Sequence, residues 1–163
     1  MNSQEAIKLS LDMGNMVGLS YLEDMTDEEL MQRPDPGCNH VIWQLGHLIS
    51  SERQITEGVA PGSMPALPEG FADRYSKDTA RSDDPTAFDS KETLLALHQQ
   101  VREATLAALE QQTDESLDAA SPESMQAYAP TVGAAFNLHG NHWLMHAGQW
   151  AVLRRKLGRA PLF

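Results

Sequence analysis

Four stretches of this chain repeat apolar residues at helical spacing, and none alternates them as a strand bounded by hairpin turns would. Ile7, Leu11, Gly14, Gly18 and Tyr21 form the first stripe, and Val41, Leu45, Leu48 and Ile55 the second, widened by Ile42 and Ile49. Leu94, Leu97, Val101 and Ala108 form the third, and Val132, Ala135, Trp150, Leu153 and Leu157 the fourth. A stripe of this period covers one face of a helix and must be buried against another element. The spacing predicts helices over 3–22, 40–57, 91–112 and 132–157, with essentially no sheet.

Local signals place the ends. Thr26 and Glu29 have capping-box spacing, and Asn39 reads as the N-cap of the second helix, which stops at Gly58. Gly158 and Pro161 end the last helix in the expected order. The Gly14/Gly18 pair weakens the first helix unless it admits a neighbouring helix or a ligand. Residues 58–89 hold Pro61, Pro65, Pro68 and Pro85 without clear periodicity, while Phe71, Tyr75 and Phe88 predict packing against the bundle. A connection this long allows a crossover rather than simple up-down topology. The expected fold is a single all-α domain spanning 1–163, a four-helix bundle with a long crossover connection.

Charge narrows the partners. A formal net charge of −11 and no basic stripe argue against nucleic acid, and the run Arg154-Arg155-Lys156 suits a helix C-terminus. No apolar run is long enough to span a membrane, and none is expected as a partner. The N-terminal residues lack a charged region followed by an apolar one, so no signal peptide is expected. The single cysteine, Cys38, allows no intramolecular disulfide and reads as a small buried residue rather than a nucleophile. The expected location is the cytoplasm.

The chemistry concentrates in L-H-G-N-H-W-L-M-H-A-G-Q. His139, His142 and His146 are spaced i, i+3, i+7 and lie on the face that also carries the apolar stripe. Imidazoles on a core face need partners, because an unpaired buried polar group costs about 1–3 kcal/mol. A pair at i, i+4 can reach one ion from adjacent turns, so a metal site is favoured over structural histidines satisfied by hydrogen bonds. Elsewhere His40, His47 and His98 offer further imidazoles. His98 sits beside the third stripe, where a capped or partly exposed role is expected. Glu52 falls within the second stripe and requires either the exposed end of the bundle or a cationic partner.

Two of these segments resemble the DinB-like family. The His142-x-x-x-His146-x-Gly148-Gln149 pattern with the following L-R-R-K-L-G-R-A-P is similar to that family's C-terminal motif, and W-Q-L-G-H-L places His47 where the family carries its first ligand. The likeness covers essentially the whole chain. It implies a four-helix bundle holding a divalent metal through His47, His142 and His146, with His139 lining the pocket or acting in the outer shell. It also implies kinship with thiol-dependent transferases and isomerases, among many proteins without an assigned activity.

Three neutral ligands would leave a coordination position open, which is the mark of a catalytic site. Three imidazoles suit Zn, Ni, Fe or Cu, with Zn or Ni expected. Glu52, five residues from His47, is the candidate acid–base partner, and Gln149 and Tyr75 are candidate hydrogen-bond donors. The expected activity is activation of a low-molecular-weight thiol or of water against a small-molecule substrate, as a transferase, isomerase or hydrolase. The alternative is a non-catalytic, stress-related metal or small-molecule binding protein. Eight methionines and the Gly14/Gly18 surface suggest a homodimer through helix faces.

Overall fold

A computed structural model describes all residues from Met1 to Phe163. Four long helices carry the fold: α1 (Ser3–Leu22), α3 (Val41–Val59), α5 (Lys91–Glu110) and α7 (Val132–Lys156). Between them lie the short helices α2 (Asp27–Leu30), α4 (Phe71–Arg74) and α6 (Asp114–Asp118), with 3-10 turns at Pro85–Ala87 and Glu123–Met125. There is no strand, only an isolated antiparallel bridge between Ala120 and Thr131.

The caps follow the sequence except at the two ends of α3. Asn2, Thr26, Ser90 and Thr131 each accept a backbone N–H of the turn they open. At α3 the cap is His40, not Asn39: its Nδ1 accepts the Trp43 N–H at 3.0 Å. The Asn39 carbonyl is taken instead by the Gln44 side chain, at 2.6 Å. Gly58 lies inside α3, which runs one residue further to Val59. Gly158, at φ 75°, terminates α7 in the left-handed region that favours glycine.

Contacts fix the topology. Ile7 meets Gly133, Gly14 meets Gly140 and Gly18 meets Trp143, so α1 and α7 run parallel. Glu52 pairs with Arg102 and Thr56 approaches Thr105, so α3 and α5 also run parallel. Gln44 reaches Gln149 while Thr56 reaches His139, which makes α3 and α7 antiparallel. The long helices therefore run up, down, down, up. Parallel neighbours cannot be joined by a tight turn, so the chain after α3 must travel back along a helix of about 28 Å. Residues 60–90 do this, pinned by the buried rings of Phe71 and Tyr75 and by the Arg33–Asp83 and Arg74–Asp89 ion pairs.

The glycine pair of α1 serves the interior. A Cβ on Gly14 would sit 2.6 Å from the Gly140 carbonyl oxygen, and one on Gly18 would strike the Trp143 ring. These glycines let α1 and α7 approach closely and offer no surface to a second copy of the chain. The core beside them holds Trp143 and Trp150 of α7 against Leu45, Leu48 and Ile49 of α3 and Leu94 and Val101 of α5. No helix is long and apolar enough to cross a membrane.

Candidate metal centre

One turn of α7 separates His142 from His146, and both rings point towards α3. There His47 completes a cluster in which one potential ligand atom from each histidine lies within 4.8 Å of the others. The Nε2 atoms of His142 and His146 are 3.2 Å apart. Two imidazole nitrogens on one tetrahedral ion, each at about 2.0–2.1 Å, would be about 3.3 Å apart. The spacing thus fits a shared ion without rearrangement of α7.

Supporting groups orient the rings. The Gln44 side chain is buried and makes four hydrogen bonds. Its Nε2 donates to the Asn39 carbonyl and, at 3.0 Å, to Gln149 Oε1. Its Oε1 accepts from the Trp150 indole N–H at 2.9 Å. Asn39 offers only an acceptor there and Trp150 only a donor, so the amide cannot be flipped. Gln44 Oε1 is also 2.7 Å from His146 Nδ1, which must therefore carry the proton. The lone pair of His146 is left on Nε2, facing His142. This is the arrangement by which an outer-shell acceptor sets the tautomer of a metal ligand.

His47 is held from its other side. The Trp43 ring stacks on it with centroids 5.0 Å apart and planes within 7°. Trp43 in turn donates its indole N–H to Ser76 and Thr79, at 3.1 Å each, so the crossover segment braces the ring behind His47. Gly46 permits this packing, because a Cβ there would overlap the Tyr75 ring.

Burial keeps the cluster neutral. Desolvation, reinforced by the neighbouring imidazoles His142 and His47, lowers the pKa of His146 to about 3. Desolvation with His47 and His139 lowers His142 to about 4, against a smaller opposing effect of Glu52. His47 is lowered in the same direction by burial and by the charge of Lys77. Three uncharged imidazoles brought this close together are a donor set for a borderline divalent cation such as Zn or Ni.

The other candidates are placed elsewhere. His139 is buried one turn before His142, its Nε2 3.0 Å from Thr56 Oγ1, and stands outside the cluster. His98 is buried rather than partly exposed: its Nε2 lies 2.6 Å from Asn15 Oδ1 and its ring 4.2 Å from that of Trp143. His40 is spent on capping. Tyr75 is also engaged away from the cluster, its hydroxyl donating to Asp89 Oδ2 and accepting the Asp89 N–H.

Glu52 finds the cationic partner its position demanded. Arg102 donates to both of its oxygens at 2.8 Å, with the two side chains 7% and 2% exposed. Burial pushes the carboxyl up, but the charge and hydrogen bonds of Arg102 more than offset this and hold it at about 2. A carboxylate so engaged is a poor proton acceptor, so the geometry turns Glu52 from an acid–base group into half of a buried ion pair.

Sequence reasoning missed Gln44. Its signal is an amide three residues before His47, at the edge of the apolar face of α3. Gln149, expected to donate near the site, instead accepts from Gln44.

Comparison with known proteins agrees with this architecture. The model of the DinB superfamily matches residues 11–150. The chain belongs to the DinB superfamily. No curated protein matches its sequence. Solved structures share its fold, two of them as follows. A conserved protein from Enterococcus faecalis superposes with a TM-score of 0.69 at 17% identity, covering 98% of this chain and 99% of that one. YfiT from Bacillus subtilis superposes with a TM-score of 0.65 at 19% identity, covering 96% of this chain and 89% of that one. YfiT is described as a probable metal-dependent hydrolase with an unusual four-helix bundle topology. The up, down, down, up order of the long helices in this chain is likewise not that of a simple up-down bundle.

Proposed function

We propose that this DinB superfamily member is a metalloenzyme in which His47, His142 and His146 hold one divalent ion, Zn or Ni by donor type. Its reaction would use water or a low-molecular-weight thiol on a small-molecule substrate. The observation that carries the reading is the 3.2 Å approach of the His142 and His146 Nε2 atoms, with His146 fixed by Gln44 as the Nδ1–H tautomer. An ion held by three imidazoles and open on one side lowers the pKa of bound water towards about 7, or ionises a coordinated thiol.

The chain's own residues prepare this chemistry. Gln44 and Trp43 fix two ligand rings before anything binds, and burial leaves the imidazoles unprotonated at neutral pH. His98 and His139 stand outside the three-histidine cluster, their Nε2 atoms engaged with Asn15 and Thr56, so neither closes the coordination sphere as a fourth ligand. That favours catalysis over a closed binding or structural site. The description of YfiT supports hydrolysis as the first activity to test.

The test is a screen of the Zn- and Ni-loaded protein for hydrolysis of uncharged esters and amides and for thiol-adduct formation. His146→Ala serves as the control. Turnover that falls at least a hundredfold in the variant is expected. Turnover equal in both proteins, or absent in both, would leave metal binding without catalysis. The homodimer is carried forward with this reading on a different surface: Leu9, Met13 and Met16 are exposed at i, i+4, i+7 on α1. Light scattering should give twice 18.0 kDa at micromolar concentration, and a value of 18.0 kDa would remove the dimer.

A further inference from the structure

A cavity of about 280 Å³ opens beside the cluster, and His142 forms part of its wall. The rest of the wall comes from three parts of the chain. Ser51, Gln54 and Ile55 project from α3, and Leu138 lies one turn before His142 on α7. Met125 and Tyr128 close the far side from the segment between α6 and α7. That segment is tied down by the Ala120–Thr131 bridge and by the Ser121 N–H donating to the Pro130 carbonyl at 3.1 Å.

The chemistry of this wall is one-sided. It contains no carboxylate, lysine or arginine, in a chain whose net charge is −11. Arg53, the adjacent cation on α3, lines a different cavity and donates its Nε–H to the Pro65 carbonyl. Lys77, whose charge reaches His47, is not in the wall. A charged group entering here would give up water without meeting an opposite charge, which is costly. Ser51 and Gln54, by contrast, make no side-chain hydrogen bonds within the protein, so their polar atoms are free for a ligand. Ile55, Leu138 and the adaptable thioether of Met125 supply an apolar floor, and the ring of Tyr128, 53% exposed, stands at the rim.

We propose that this cavity is the substrate subsite and selects uncharged small molecules. They would carry an aromatic or aliphatic group, seated on Ile55, Met125 and Leu138, and a neutral carbonyl or amide that bonds Ser51 and Gln54 beside His142. The assignment of the occupant as substrate rests on the metalloenzyme reading; the ligand class rests on the wall alone. A thiol carrying carboxylates, such as a peptide thiol, finds no counter-charge here, so the subsite takes the partner on which water or thiol acts.

Three probes of matched shape separate the possibilities: phenylacetamide, phenylacetate and phenethylammonium. Binding is measured on the metal-free full chain by methyl NMR, so that no carboxylate can coordinate an ion. The amide should shift the Ile55, Met125 and Leu138 methyl signals and bind at least tenfold more tightly than either charged probe. Leu138→Trp, which fills the cavity, should abolish amide binding. Gln54→Lys, a change at an exposed position, should reverse the preference in favour of phenylacetate by at least tenfold. Equal or tighter binding of a charged probe to the native chain would overturn the proposal. So would amide binding unaffected by Leu138→Trp in a variant with native circular dichroism. Metal uptake is titrated separately on the same proteins. Amide binding with the expected selectivity but no metal uptake would support this ligand class and sink the metalloenzyme reading.

Discussion

Arg102 and Glu52 meet inside the bundle as a bidentate ion pair, with Nε and Nη2 each 2.8 Å from a carboxylate oxygen. Arg102 also donates to the Leu11 carbonyl at 2.9 Å, so one guanidinium ties α5 to both α3 and α1. The pair thereby specifies which faces of the three helices meet.

Removing one partner leaves the other charged and buried. Arg102→Met and Glu52→Gln are each expected to cost about 3–5 kcal/mol in urea unfolding. The double variant Glu52→Leu/Arg102→Met should be less destabilised than either single one, because no charge is then left unpaired. Double-variant destabilisation equal to the sum of the singles would contradict this account of the pair.

Gln44→Leu removes the acceptor of both His146 and Trp150. The expected result is a loss of about 10–100-fold in Zn affinity, measured by competition with a chelating dye, because outer-shell partners of ligating histidines carry effects of that size. The unfolding free energy should also fall by about 1–3 kcal/mol for each donor left without a partner. Unchanged affinity would show that the tautomer is set by something else.

The metal-free protein should lose stability on acidification. His98 is held at about 4, below the usual 6.5, chiefly by burial, with Glu52 opposing and Arg102 reinforcing the shift. The unfolded chain therefore binds a proton before the folded chain does. The contribution is complete above pH 6.5 and declines as pH falls towards 4, by up to about 1.4 kcal/mol per pH unit. His40, His139 and His142 are lowered to about 4 and act in the same direction. Urea midpoints at pH 7, 6 and 5 should fall progressively, and His98→Gln should make the fall shallower. An unchanged slope in that variant would remove His98 from the effect.

Much of the fold was legible because burial imposes periodicity. The stripes of α1, α3, α5 and α7 follow directly from the faces those helices bury, and their bounds differ from the expected ranges by no more than two residues. The direction of the helices was not legible, since a stripe records that a face is buried but not against what. The parallel α3–α5 pairing rests on contacts such as Glu52–Arg102, which lie 50 residues apart.

The site divided in the same way. His142 and His146 stood out because their i, i+4 spacing is local. The depth of His98 was not legible because its partner Asn15 is 83 residues distant, and nothing nearby in sequence marks it as buried rather than partly exposed. Asn39 is the better N-cap by type, yet His40 takes the role, its Nδ1 accepting the Trp43 N–H. Gln44 carries no such local signature; only the donors that converge on its oxygen reveal its function.

The central claim is tested most directly by elemental analysis of untagged protein after metal loading and desalting, for the native chain and single alanine variants. One equivalent of divalent metal is expected in the native protein, in His98→Ala and in His139→Ala, with loss in His47→Ala, His142→Ala and His146→Ala. Full occupancy in folded His47→Ala, or loss in His139→Ala alone, would contradict the three-histidine centre.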